Sequence, residues 1–394
     1  EYIFNRSIIE RKTPKIWKYA HICPLYKKGT KTMFINYRPV SLLPVVSKIL
    51  EKCMFNRIYD FLEKNNIIYP SQYGYRKKHS TQDAGLELLK EILLGNEDKK
   101  YTMAIFCDMS KAFDTINHEH VLYKLEKYGI RGHSYEWIQD YLSDRTQSVK
   151  IKNVISDKYN IRDGTPQGSV LGPLLFLVLM NDINNSLKYG KCLCFVGDTT
   201  IYYKNEKIED LYKHMREDVE NISNWMKANK LFFNISKTNY IIFKCNRQTD
   251  IRYEDIMLNG EKIKRVENTK FLGIYFDEKL SWDAHHENLL NKIRRSKYIF
   301  RQCRYLDSFS KYKLYMSYVH SHLIYGITLW GPMSTIAQKT KLNNMLGSII
   351  KQSCMNDKEI QKIFELEPTI QMCMLQYVYK LVKGLLPEKN TNSI

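Results

Sequence analysis

The sequence predicts an α+β fold whose strands are concentrated before about residue 285. Two observations carry this. Short apolar runs bounded by turn residues, at 103–107 and 192–196, have the length and composition of buried strands. From about His285 onward the pattern changes to amphipathic helices with few strand signals. A third observation gives the strands a purpose. The first run ends in Asp108 and the second in Gly197-Asp198. A carboxylate at the tip of a buried strand is costly unless a cation uses it, and a divalent metal is the natural user.

Composition sets the frame. A chain of 394 residues is too long for one simple core and suggests two or three packed units. At 44% hydrophobic and 26% charged it is globular rather than disordered. The net charge of +19 favours a polyanionic partner, nucleic acid or an anionic membrane surface, and the 29 Tyr and 16 Phe favour nucleic acid because aromatic faces stack bases. AT-rich codons would produce the same excess of Lys and Tyr. The nine cysteines, Cys23, Cys53, Cys107, Cys192, Cys194, Cys245, Cys303, Cys354 and Cys373, are odd in number and contain no C-x-x-C pair. They read as reduced thiols of an intracellular protein. No apolar run reaches membrane-spanning length, residues 1–5 are not a signal peptide, and the absence of a first Met suggests a fragment of a longer protein.

In order along the chain, 22–26 and 37–43 form two strands around the basic turn 27–31, placing Lys27, Lys28 and Arg38 where cations would grip a phosphate tail or simply face solvent. Helices are expected from Ser47 to Asn65 and from Ser80, a capping residue, to about Leu94. After Asp108, the segment 112–118 turns into a helix over 120–128, stopped by Gly129, and another helix covers 134–143. Residues 149–155 alternate like a strand. The loop 163–173 holds three Gly and two Pro around the lone Gln167, a density that suits close backbone approach to a ligand. A buried helix follows over 174–180.

The strand 192–196, the acidic tip and 199–203 form a hairpin that presents Asp198. Ile208, Leu211, Tyr212, Met215, Val219, Ile222 and Met226 mark one face of a long core helix. Strands at 231–234 and 240–243 flank Ser236-Lys237-Thr238, Asn259-Gly260 signals a two-residue hairpin, and 271–276 is one more strand. The helix over 288–304 carries six cations and no acid, which suits a helix laid along phosphates. Later helices cover 312–327, 335–354 and 369–383. Two acids on strand tips, a basic hairpin and a Gly-rich loop together make a phosphoryl-transfer kit and point to nucleotidyl transfer.

The segments NYRPVSLL (36–43), QYGYRKKHST (72–81), FCDMSKAFDTINH (106–118), GTPQGSVLGPLLFL (164–177), FVGDTT (195–200), NISKTNY (234–240) and KFLGIYFDEKLSW (270–282) occur in that order. Together they resemble the reverse transcriptases of non-LTR retrotransposons, nearest the jockey-like group. The resemblance implies an RNA-directed DNA polymerase with RNA template, DNA primer or target and dNTPs as partners, two Mg²⁺ (or Mn²⁺) ions, and no other cofactor. It implies Asp108 and Asp198 as metal ligands and Lys237 as proton donor to pyrophosphate. Arg38 and Lys28 (or Lys27) would touch the triphosphate, Phe113 would lie under the incoming sugar, and Gln167 and Gly168 of the PQG would pack on the nascent pair. Phe271-Leu272-Gly273 would be the primer grip, Arg294 and Arg295 would begin the thumb, and Asp114 would hold its turn.

One departure stands out. The family's tip reads Phe/Tyr-Ala-Asp-Asp, and here Gly197 occupies the place of the first aspartate of the pair. That implies an impaired copy. The implied fold is a right hand: fingers over 1–100, with 121–165 returning near them; a palm over 101–284 with a small antiparallel sheet; and a thumb with a helical C-terminal extension over 285–394. A nuclear or cytoplasmic ribonucleoprotein is the expected setting. No endonuclease or RNase H is visible. Two rivals follow: a catalytically inactive nucleic-acid-binding remnant on the same fold, and a group II intron maturase-type polymerase, against which Phe195 and the NYRPVSLL and AFDTINH wording count.

Overall fold

The computed structural model describes residues 1–109, 112–243, 253–353 and 365–387. The chain forms two compact units. The first comprises Glu1–Tyr75, Asp108–Lys188 and Glu217–Asn234; the second comprises Arg76–Cys107, Tyr189–Arg216 and Ile235–Ile394.

In the first unit, strands β1 (Tyr19–Tyr26), β2 (Tyr37–Leu42), β4 (Arg145–Ile151), β5 (Val154–Ile155) and β6 (Tyr159–Ile161) make one sheet in the order β2-β1-β4-β5, with β6 also on β4. β1 and β2 are antiparallel, with Leu25 opposite Arg38, and β1 pairs with β4 in parallel. The stretch expected as one strand over 149–155 is therefore the end of β4 folded back through β5. Helix α2 (Val45–Lys64) starts before Ser47, directly after Pro44, its N-cap. Helix α4 (His118–Lys127) lies beside both α5 (Gly132–Leu142) and α6 (Gly172–Met180), and every residue of α6 but Pro173 is buried. An apolar run buried on all sides needs no amphipathic face, which is why its sequence shows none.

The second unit is organised on the sheet β12-β9-β3-β8-β7, built from β3 (Tyr101–Asp108), β7 (Lys191–Phe195), β8 (Asp198–Asn205), β9 (Asn239–Phe243) and β12 (Lys264–Arg265). The small sheet expected to be antiparallel also has a parallel edge, where β12 joins β9. β3 and β9 are antiparallel and β7 and β8 form a hairpin. Residues 231–234, which belong to the first unit, are no strand: a single bridge, Met109 to Phe233, forms there. The Asn259-Gly260 hairpin does form, between β10 (Met257–Leu258) and β11 (Glu261–Lys262). The stretch 271–276 is not one strand but the tip of a second hairpin, β13 (Asn268–Phe271) and β14 (Ile274–Asp277).

Helix α3 (Thr81–Glu97) opens with a complete capping box, Ser80 and Asp83 each bonding the other's backbone N–H. After α8 (Asp283–Gln302), the single helix expected over 312–327 is broken into α9 (Ser308–Tyr315), a π turn (Met316–His320), α10 (Ser321–Ile324) and α11 (Ile327–Trp330). The break between the last two falls at Gly326, whose φ is 62°. Helices α12 (Ile336–Ser353) and α13 (Leu366–Val382) complete the unit. The seven described cysteines are thiols, and Cys245 and Cys354 lie outside the described residues. Among the described residues, no helix is long and apolar enough to cross a membrane.

Candidate nucleotidyl-transfer site

Asp108 is the last residue of β3 and Asp198 the first of β8, and these strands are neighbours in one sheet. The β3 residues before Asp108, from Thr102 to Cys107, are all buried; Asp108 is half-buried. Burial pushes the Cys107 thiol well above its ordinary range, so the residue beside the acid stays a neutral packing group. The backbone carbonyl of Asp108 accepts the Asn234 N–H at 2.8 Å, which fixes where the strand ends. Asp198 is exposed and faces Phe195 across the two-residue turn Val196-Gly197. The left-handed position of that turn is Val196, with φ 60°; Gly197 lies outside the left-handed region.

The segment after Asp108 is laced to the Gly-rich loop within the first unit. Thr165 N–H donates to the Phe113 carbonyl (2.9 Å) and Gly164 N–H to that of Ile116 (2.7 Å). Asn117 Nδ2 donates to Asp163 (2.9 Å), and Gln167 Nε2 donates to Asp114 Oδ1 (3.0 Å). The Phe113 ring packs on Phe176 with centroids 5.4 Å apart, so its face is set by α6. Ser41 N–H of β2 donates to the Gln167 carbonyl (2.8 Å), bringing the strand that carries Arg38 to the same loop. Gly168 follows, exposed, with Ser41 again its nearest neighbour. Arg38, Lys27 and Lys28 are exposed on β2 and the β1–β2 connection.

In the second unit, Lys237 closes a 3-10 turn before β9 and is exposed. Phe271 is buried against Phe106 of β3, centroids 5.6 Å apart, and Leu272-Gly273 forms the hairpin tip. Arg294 and Arg295 are exposed on α8, with Arg294 donating to Asn291 (2.9 Å). Tyr298, 69% exposed, lies on the same face of α8 as Arg294 and Arg301 at helical spacing, and Tyr305, 81% exposed, lies in the turn that follows the helix.

One residue was not singled out by sequence reading. Glu51, 1% exposed on α2, accepts N–H bonds from Val170 (2.7 Å) and Leu171 (3.3 Å) and a bond from Ser47 (3.1 Å). A buried carboxylate on the loop's exit, just before α6, is stabilised by those donors and in turn holds the loop. The signal was present: Ser47 and Glu51 lie four residues apart on the otherwise apolar stripe of α2.

Carboxylate oxygens on open strand ends suit a hard divalent cation, and Asp108 and Asp198 are the side chains that would hold one. Among the described residues, no group of three or more His, Cys, Asp or Glu gathers for a metal.

Residues 26–276 match the family model described as reverse transcriptase (RNA-dependent DNA polymerase), and the chain belongs to that family. It is similar to the probable RNA-directed DNA polymerase from transposon BS of Drosophila melanogaster, 29% identical over 355 residues, covering 87% of this chain and 38% of the relative. It is equally similar, over the same shares, to the RNA-directed DNA polymerase from mobile element jockey of that species. The X-element polymerase is 26% identical over 84% of this chain and 37% of its own length. The chain thus spans well under half the length of these relatives. Among solved structures, apo telomerase from Candida tropicalis gives a TM-score of 0.48 at 12% identity, over 94% of this chain and 67% of that one. Reverse transcriptases use divalent metal ions and act on nucleic acid.

Proposed function

We propose that this chain is the polymerase core of a non-LTR retrotransposon reverse transcriptase, built to extend a DNA primer on an RNA template, and that this copy is impaired at its metal site. The observation that carries the reading is the pair of adjacent strands whose ends are Asp108 and Asp198, with Gly197 immediately before Asp198 in the β7–β8 turn. Two divalent ions bound there would activate the primer 3′-hydroxyl and neutralise the departing pyrophosphate. The chain's own residues supply the rest. Arg38 and Lys28 grip the triphosphate, and Phe113, its ring fixed by Phe176, lies under the incoming sugar. Gln167, held by Asp114, supports the nascent pair, and Lys237 gives a proton to the pyrophosphate. The hairpin tip at Leu272-Gly273 seats the primer end, and Arg294 and Arg295 follow the duplex phosphates. The setting is intracellular, with the RNA that is copied.

Glycine offers no ligand, so the cage lacks one carboxylate. The loss is worth about 4 kcal/mol of barrier, on the order of a thousandfold in rate. The same observation favours a second reading, a nucleic-acid-binding remnant with no chemistry left. Primer extension with Mg²⁺ or Mn²⁺, the parent beside Gly197→Asp, decides between them. Restored synthesis in the variant supports the polymerase reading; binding of primer–template without synthesis in either chain supports the remnant.

A further inference from the structure

The tip of the β13–β14 hairpin is held from outside by one side chain. Both turn residues are left-handed, Leu272 at φ 45° and Gly273 at φ 93°. A leucine in that region is strained and persists only where neighbours over-determine it. The neighbour is Tyr325. Its hydroxyl lies 2.6 Å from the Leu272 carbonyl and 3.2 Å from Thr81 Oγ1. A carbonyl can only accept, so the tyrosine proton goes to Leu272 and the Thr81 hydroxyl donates to the tyrosine oxygen. The ring covers Gly273 closely: a Cβ there would fall 2.9 Å from Tyr325 Cε1.

Tyr325 is fixed in its turn. Its carbonyl accepts the Trp330 indole N–H at 3.2 Å, and Trp330 is fully buried. The next residue, Gly326, is left-handed and lies against Ile274, the first residue of β14. The hydroxyl of Tyr325 thus joins three separate segments of the second unit: the start of α3, the hairpin tip and the α10–α11 junction. The ring is 42% exposed, which is more than a purely packing role requires. One side of it borders a cavity of about 640 Å³ lined also by Lys78, His79 and Lys380.

We infer that Tyr325 is a positioning residue for the primer's 3′ end, acting through the Leu272-Gly273 turn. The inference rests on the reading of that turn as the primer-contacting one. The hydroxyl sets the direction of the Leu272 carbonyl and the height of the turn, and so where a primer terminus can sit.

The test is binding, which does not depend on the state of the metal site. The full chain is titrated with an RNA-template/DNA-primer duplex whose recessed 3′ end carries 2-aminopurine, and with a blunt duplex of the same length. Tyr325→Phe keeps the ring and removes the hydroxyl. Expected is a loss of roughly 3–10-fold in affinity for the recessed duplex, the size of one lost hydrogen bond. The 2-aminopurine emission changes, affinity for the blunt duplex holds, and the melting temperature moves by no more than about 4 °C. Thr81→Val, which removes only the second bond, shifts the same readouts in the same direction by less, and serves if Tyr325→Phe folds poorly. Unchanged affinity and emission in both variants overturn the inference, as does equal weakening on both duplexes. A parent chain that does not distinguish recessed from blunt ends overturns the primer-site reading itself, and the inference with it.

Discussion

Beside the Asn259-Gly260 hairpin, two other described β-hairpins are closed by a two-residue turn ending in glycine: Val196-Gly197 between β7 and β8, and Leu272-Gly273 between β13 and β14. Their glycines are there for different reasons. Gly273 is left-handed and is roofed by the Tyr325 ring, so both its backbone and its surroundings exclude a side chain. Gly197 is not left-handed; the strained position in its turn belongs to Val196, a β-branched residue at φ 60°. Gly273 is a glycine that its turn requires, and Gly197 stands where the family places an acid.

Breaking that contrast at Gly197 has the largest expected effect. Gly197→Asp adds a carboxylate at a position whose φ permits it. Template-dependent dNTP incorporation rises by on the order of a thousandfold in Mg²⁺, and adding Asp108→Asn to that variant returns it to the parent's level. Equal incorporation by parent and Gly197→Asp would remove the metal-site account.

The alanine pair isolates conformation from chemistry. Gly273→Ala meets both a left-handed φ and the Tyr325 ring, and costs about 2 kcal/mol or more in urea unfolding. Gly197→Ala, in a half-buried turn at a φ outside the left-handed region, costs less than Gly273→Ala, about 1 kcal/mol or below. A large loss at both positions would mean that the two glycines serve the same purpose after all.

The comparison also marks what sequence could and could not supply. The strand runs ending at Asp108 and Asp198, the capping box at Ser80 and the Asn259-Gly260 turn were legible because each is a local pattern of three to ten residues. The family motifs carried the rest of the candidate site by position. The hairpin at 271–276 was misread as one strand because Leu272 gives no turn signal; its left-handed φ is imposed by Tyr325, 53 residues away. The helix break at 325–326 falls on Gly326, a signal that the helical spacing of 312–327 overrides, whereas the π turn over 316–320 leaves no mark in composition. Glu51 was passed over because a single acid on a helix usually faces solvent, and only the fold shows it beneath the 170–171 backbone.

Glu51 offers an acid whose task is structural, against the one missing at 197. Glu51→Ala strips the partner from two backbone N–H groups at the loop exit. An expected loss of about 1–3 kcal/mol follows in unfolding free energy, with dNTP affinity falling as Gln167 loses its seat. Unchanged stability would show that the loop is held by its bonds to 113–117 alone.

The last and smallest effect separates the hairpins by pH. The β13–β14 hairpin leans on His285, 4% exposed, whose Nδ1 accepts the Tyr275 backbone N–H at 3.4 Å. His286 beside it is 3% exposed and bonds Ser334 at 2.8 Å. Burial, with lesser help from the charges of His286 and Lys292, lowers His285 from 6.5 to about 3, and burial, partly opposed by Asp283, lowers His286 to about 4. The folded chain thus refuses protons that the unfolded chain takes up below 6.5. Stability is complete above that value and declines as pH falls, levelling near 3 to 4. Between pH 7 and pH 6 the decline is about 1 kcal/mol for the pair, read as a lower melting temperature at pH 6. His285→Asn, which can still accept from Tyr275, flattens the profile. A parent whose melting temperature is the same at both pH values would mean that these rings are protonated in the fold, and that the hairpin tip is less firmly packed than its hydrogen bonds imply.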